Sequence, residues 1–319
     1  MFHQPLAARL QIKGRFIVCL FVFHYLCKKI RETMAKEFIV ISRQDAVART
    51  GAPYVNLKCA NLEGVENICV WDTPKTGGPK VGQLVTFISI RDNQGKKSAG
   101  QLDTIVGKFP TEDHPLYKLI PRPIKRKQWD DTFEKLLSYC TDEKLAGIIR
   151  KQAAQLFEPY SKYPAATNVH HAFPGGLLNH TWQMLHMLEG LYPCYPYPKD
   201  IKVERVILAI LFHDWGKLCE YNTEGENQEN RFLLGHIYMS ANYLNGILRE
   251  EGIEKREINF IVHCVLAHHG ELEYGSPVLP CIPEASLVNY LDNISAKADV
   301  YQTTGNMEKS FALGTNVIK

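Results

Sequence analysis

The sequence has little to tie it down covalently and no strong charge of either sign. Its nine cysteines are scattered, odd in number and nowhere spaced as Cys-x-x-Cys. That pattern argues against a cysteine zinc site and favours reduced thiols over a disulfide framework. Lys plus Arg number 37 against 34 Asp plus Glu, a net charge of +3, so any nucleic-acid surface has to be local. There is no internal repeat, no low-complexity tract and no apolar run of the about 20 residues that a bilayer demands. What remains is ordinary globular material: 45% apolar residues over 319 positions, enough for one large or two modest cores.

One stretch looks superficially like a targeting segment. Phe16–Leu26 (FIVCLFVFHYL) is apolar and flanked by Lys13, Arg15, Lys28, Lys29 and Arg31. It is too short to span a bilayer, lacks a small-residue cleavage site and carries His24 near its end. Met34 opens a more usual start (MAKEFIVISRQD). Residues 1–33 are therefore expected to be an upstream extension from an over-called start codon, and the chain to be cytoplasmic without stable membrane association.

From Tyr54 to about Phe109 short β segments alternate with turns. Tyr54–Cys59 and Val65–Trp71 flank the turn Asn61–Gly64; Gln83–Ile90 follows the break Gly77-Gly78-Pro79, and Gln101–Val106 follows the turn Asp92–Gly95. Several short strands in about 60 residues suggest a small closed barrel, OB-like in the first instance, with an SH3-like barrel as the alternative. Pro110–Pro123 is proline-punctuated and reads as a linker. Beyond it the spacing of apolar residues predicts helices at Gln128–Tyr139, Asp142–Phe157, Leu177–Tyr192, Lys202–Phe212, Leu234–Glu250, Lys255–Ala267 and Glu284–Val300. The expected architecture is multidomain α+β: an OB-like barrel over 34–109, a linker over 110–127 and an all-α domain over 128–319.

The chemistry lies on those helices. His180 sits early in the helix after Pro174-Gly175-Gly176, His213-Asp214 ends a nearly all-apolar helix, and His236 follows Leu233-Leu234-Gly235. His268-His269 closes another apolar helix, and Asp292 lies on a helix striped by Leu287, Leu291 and Ile294. A buried imidazole–carboxylate pair is costly without a partner, and a cation supplies one. A lone histidine on an apolar face is more often a hydrogen-bonded core residue, the reading given to His186 and His263. The ordered series H, HD, H, HH, D is far more specific, and a ligand set rich in imidazole and free of thiolate suits Mn, Fe, Co, Ni or Zn better than Mg or Ca.

That series, with HDWGK (His213–Lys217) at its centre, resembles the HD superfamily of phosphohydrolases in the version that holds two metals. The resemblance implies that His180, His213, Asp214 and Asp292 hold one divalent ion, Mn in the first instance. Asp214 then bridges to a second ion held by His236, His268 and His269, and Lys217 contacts substrate phosphate. A closer similarity is to the YhaM-type 3'-5' exoribonucleases, which join an OB-fold domain to an HD domain. It rests on HHAFPGGLLNHT (His170–Thr181), HDWGK, RFLLGHI (Arg231–Ile237), AHHGELEYGSP (Ala267–Pro277) and EASLVNYLDNISAK (Glu284–Lys297), with EGVENICVWD (Glu63–Asp72) in the β region. It covers most of the chain from about Met34, whereas the first 33 residues have no recognised counterpart.

Two cations sharing one carboxylate lower the pKa of a water and neutralise charge on a phosphate, which implies in-line phosphodiester hydrolysis; the resemblance implies Asp214 and Lys217 as its catalytic residues. The expected partner is single-stranded RNA, with single-stranded DNA as the alternative. Candidate contacts in the β region are Trp71, Arg91, Lys96 and Lys97, with Tyr54 and Phe87 as further aromatic surface; Trp71 and Phe87 are equally readable as barrel core. Lys125, Arg126 and Lys127, next to Arg122, form the densest basic cluster. Competing readings are a phosphodiesterase or phosphatase acting on small nucleotides, and a nucleic-acid-binding regulator with a vestigial HD site. A cyclic-dinucleotide enzyme of the HD-GYP type would carry a GYP-like tripeptide where this chain has Gly275-Ser276-Pro277.

Overall fold

A computed structural model of the protein describes residues 36–73, 77–111, 113–120, 122–167, 169–223, 225, 227–303, 309–310 and 312–318. The apolar run Phe16–Leu26 and the expected 1–33 extension lie outside them. Among the described residues no helix is long and apolar enough to cross a membrane. The chain divides into two compact units, one running to Leu119 and the other from Ile120 to Lys319.

The first unit is a curled sheet. β1 (Lys36–Val47) pairs antiparallel with β2 (Pro53–Asn61), and β2 with β3 (Gly64–Trp71). Asn61 makes the expected turn by accepting, through Oδ1, the backbone N–H groups of Glu63 and Gly64. The other edge of β1 pairs with β4 (Leu84–Phe87), which pairs in turn with β7 (Thr104–Val106). β6 (Lys96–Gly100) runs parallel to β3 and pairs with β5 (Arg91–Asn93). Only residues 88–90 separate β4 from β5, and a single 3-10 turn, Gln101–Asp103, separates β6 from β7. Taken as two bent strands they pair with each other and return the sheet to β1, which is an OB-like strand order. Phe38, Val55, Leu57, Ile68, Val70 and Phe87 are among its core residues.

Two local differences from the sequence pattern have physical causes. β1 carries a register shift between Val40 and Ser42, and Phe38, Ile39 and Val40 are all fully buried. A bulge therefore hides the two-residue alternation that would mark the strand. The strand expected from Gln101 begins at Thr104, whose Oγ1 donates to the carbonyl of Gly100 (2.9 Å) and closes the preceding 3-10 turn.

The second unit is helical: α1 (Arg126–Leu137), α2 (Glu143–Tyr160), α3 (Gly176–Leu191), α4 (Val203–Phe212), α5 (Lys217–Glu220), α6 (Asn230–Leu233), α7 (His236–Glu250), α8 (Lys255–Leu266) and α9 (Pro283–Thr303), with a two-strand pairing of Lys309–Ser310 and Thr315–Asn316 near the end. Asp142 caps α2 and Glu254 caps α8, each carboxylate accepting two first-turn N–H groups. Within α4 only Arg205 escapes full burial. A helix apolar on every side belongs at the centre of a unit, and α4 packs against its neighbours there. Arg205 turns its exposure into anchorage, forking onto Glu257 of α8 (2.9 and 2.7 Å) and reaching Glu284 of α9 (3.0 Å). At the other end of α4 the buried Tyr160 hydroxyl donates to the carbonyl of Leu211 (2.6 Å). That bond holds the last turn of the helix where His213 and Asp214 emerge. The helix expected over Leu234–Glu250 is broken before His236, so that α7 starts on that residue.

Candidate metal centre

Five helices bring the candidate ligands together. His180 comes from α3, His213 and Asp214 from the end of α4, His236 from the start of α7, His268 and His269 from the turn after α8, and Asp292 from α9. The Asp214 carboxylate lies between them. Its Oδ2 is 3.2 Å from His213 Nε2, 3.8 Å from His180 Nε2 and 2.7 Å from Lys217 Nζ. Its Oδ1 is 3.6 Å from His236 Nε2 and 4.0 Å from His268 Nε2. His180 Nε2 also lies 3.1 Å from Asp292 Oδ1 and 3.2 Å from His213 Nε2. Two groups of ligand atoms result: His180, His213 and Asp292, and His236, His268 and His269.

The other ring nitrogens explain the orientation. Nδ1 of His213 donates to Ile210 O (2.8 Å), that of His268 to Val265 O (2.6 Å) and that of His269 to Tyr274 O (2.8 Å). Nδ1 of His180 donates to Ser295 Oγ (2.9 Å), and that of His236 to Glu220 Oε1 (3.2 Å). With each proton held on Nδ1, every Nε2 presents a lone pair inward, as metal-ligating histidines do. Asp214 Oδ1, His236 Nε2 and His268 Nε2 are buried without a hydrogen-bond partner. Three lone-pair atoms facing one another in a dry site repel unless a cation lies among them. The donor set thus fits divalent metal.

The electrostatics agree. Burial alone would raise Asp214, but Lys217 and His213 hold its carboxyl well below the usual carboxylate range. Asp292 is likewise lowered against its burial, the adjacent His180 being the main cause. His268 is driven well below the ordinary imidazole value by burial, with His269 and His213 adding to it, and His269 is lowered by burial and then by His236. Both rings are therefore neutral and able to ligate. Lys217 is raised, its burial outweighed by Asp214. His180, His213, Asp214 and His268 are buried, while His236, His269 and Asp292 are only half-buried, so the centre opens on their side.

Three supporting residues carry no motif. Glu220 accepts both the backbone N–H (2.6 Å) and Nδ1–H (3.2 Å) of His236. Ser295 lies three residues after Asp292 and Gln183 three after His180, so each shares a helix face with a ligand. That i+3 spacing, and the carboxylate three residues after Lys217, were the available signals.

The nucleic-acid candidates lie elsewhere. In the β unit Trp71 is 41% exposed and its ring lies 4.8 Å from that of Tyr54. Phe87 is buried in the barrel core and offers no surface. Arg91 on β5 and Lys96 on β6 are exposed, and Lys97 pairs with Glu66 (2.9 Å). In the helical unit Lys125 precedes α1, whereas Arg126 and Lys127 form its first turn and pair with Asp130 (2.8 Å) and Asp131 (2.7 Å) one turn on. Those i,i+4 pairs support a helix start at Arg126, two residues ahead of the Gln128 expected from the sequence. His186 pairs with Glu189 (2.9 Å), and His263 Nε2 accepts from the backbone of Cys281 (3.1 Å). Both stand outside the two ligand groups.

Residues 177–297, within the helical unit, match the family model described as the HD domain. The chain as a whole is similar to the curated 3'-5' exoribonuclease YhaM. It is 29% identical over 289 residues to that protein from Halalkalibacterium halodurans, which covers 85% of this chain and 86% of the relative. It is 26% identical over 282 residues to the Bacillus pumilus protein of that name (85% and 87% covered), and 27% over 302 residues to the one from a Geobacillus species (88% and 86%). No solved structure shows a significant match.

Proposed function

We propose that the chain is a metal-dependent 3'-5' exoribonuclease that hydrolyses the terminal phosphodiester of single-stranded RNA and releases nucleoside 5'-monophosphates. The observation that carries this reading is the placement of Asp214, with one oxygen toward His180 and His213 and the other toward His236 and His268. That is the position a carboxylate shared by two ions requires. In this reading His180, His213, Asp214 and Asp292 hold one ion, and Asp214, His236, His268 and His269 the other; Mn is the first candidate, with Fe, Co, Ni and Zn alternatives.

Bound there, the ions would supply Lewis acidity, lowering the pKa of the attacking water and neutralising phosphate charge. The protein's own groups do the rest. Lys217 keeps its proton in a buried setting and adds positive charge for the scissile phosphate. The Nδ1 hydrogen bonds hold the imidazoles, and the buried side of the centre excludes bulk water. The similarity to 3'-5' exoribonucleases, extending over 85% of the chain and so into the β unit, favours a polymer over a small nucleotide. The strand surface is assigned to Trp71, Arg91, Lys96 and Lys97, with Lys125, Arg126 and Lys127 as a second basic patch, and the location to the reducing cytoplasm.

The test is incubation of the purified chain, stripped and reloaded with Mn, with 5'-labelled single-stranded RNA, cyclic dinucleotides and a generic phosphodiester. A descending ladder with mononucleotide release supports the proposal. Turnover of the small substrates with RNA left intact would overturn the polymer assignment.

A further inference from the structure

A third cluster of imidazoles shares His180 with the first ligand group and adds two rings that neither group uses. His170, His171 and His180 each place a ring nitrogen within 4.8 Å of the others. The His170 ring lies 5.0 Å from that of His180, closer than the 5.7 Å between His236 and His268 within the centre itself. It also stands close enough to Asp292 and Asp214 to feel their charges.

A chain of hydrogen bonds decides which nitrogen of His170 is bare. His180 offers Nε2 to the centre only with its proton on Nδ1, which donates to Ser295 Oγ (2.9 Å). Ser295 then donates to Gln183 Oε1 (2.8 Å). The same oxygen lies 3.1 Å from His171 Nε2, which therefore carries a hydrogen. A neutral His171 is left with a bare Nδ1, and this faces His170 Nδ1 at 3.3 Å. Two bare nitrogens would repel there, so His170 Nδ1 is the donor and His170 Nε2 keeps its lone pair. This is the same tautomer that the other ligating histidines show.

The loop is also clamped. His171 sits in the left-handed region (φ 46°), its backbone N–H donates to Asp299 Oδ2 (2.7 Å), and its carbonyl oxygen would lie 1.9 Å from a Cβ on Gly176. A strained residue persists only where its surroundings over-determine it.

We propose that His170 is a further protein ligand of the centre, binding through Nε2 the ion held by His180, and that Ser295, Gln183 and His171 are the residues that position it. This rests on the reading of the centre as a two-ion site. Its test is calorimetric titration of Mn into the metal-free wild-type chain and into His170→Ala, His170→Phe and Gln183→Leu, with circular dichroism to check folding. Wild type is expected to take up two ions. In His170→Ala one ion weakens by at least about 10-fold while the other keeps its affinity. His170→Phe keeps the ring without a lone pair and carries the same comparison should the alanine variant fail to fold. Gln183→Leu is expected to weaken the same ion by a smaller factor. Two ions bound with wild-type affinity by the His170 variants would overturn the ligand assignment, and by Gln183→Leu the positioning chain. A wild-type chain that takes up no ion would overturn the two-ion reading itself.

Discussion

Gly216 and His236 touch backbone to backbone: a Cβ on Gly216 would lie 2.4 Å from the His236 carbonyl oxygen and 2.6 Å from its Cα. This contact sets α7 against the HDWGK turn, and so places His236 beside Asp214. Gly216→Ala is expected to push the two segments apart, costing about 1–3 kcal/mol of stability. Mn titration should show a weakened ion on the His236 side, and thermal melting a lowered Tm. Wild-type values in both would contradict the packing role.

Glu220 is the carboxylate behind His236, accepting both its N–H groups. Its own acidity is increased despite burial, the hydrogen bond from His236 being the main cause. Glu220→Ala is expected to lower affinity for the ion on that side by about 10–100-fold. Glu220→Gln, which keeps an oxygen acceptor, should lose less. Equal losses in the two variants would point to packing rather than to the acceptor.

Burial pushes His170 down to about 3 and His171 to about 2, from an ordinary 6.5. In the unfolded chain both protonate near the ordinary value, so below it the unfolded state holds more protons and folding weakens as pH falls. His268 and His269 act in the same direction, while His213, raised by Asp214 against its burial, and Asp299, raised by burial, oppose them. The metal-free chain is expected to lose Tm progressively as pH drops from 6.5 toward 3. A flat Tm across that range would contradict neutral burial of these rings.

The candidate ligands were legible because a metal centre draws on side chains that an apolar helix otherwise avoids. His213-Asp214 and His268-His269 stand out at the ends of apolar helices, and Asp292 stands out against its leucines. Their support was not legible. Glu220, Ser295 and Gln183 are ordinary polar residues whose meaning appears only when the fold sets them behind a ligand. In the β unit the turns at Asn61 and Asp92 announced themselves through side chains that accept from the backbone. β1 was concealed by the bulge after Val40, and a local 3-10 turn at Gln101–Asp103 takes the place of the first half of a strand expected over Gln101–Val106.

Asp214→Asn tests the central claim most directly, since it retains the side chain's shape and removes the shared negative charge. With 5'-labelled single-stranded RNA, metal-stripped wild type, Mn-reloaded wild type and Mn-reloaded Asp214→Asn should all retain the strand in a binding assay. Only reloaded wild type should produce a ladder from the 3' end, the variant falling by about 10²–10⁴-fold, equivalent to about 3–5 kcal/mol of transition-state stabilisation. A ladder of undiminished rate from Asp214→Asn, or from the stripped chain, would contradict hydrolysis at this centre.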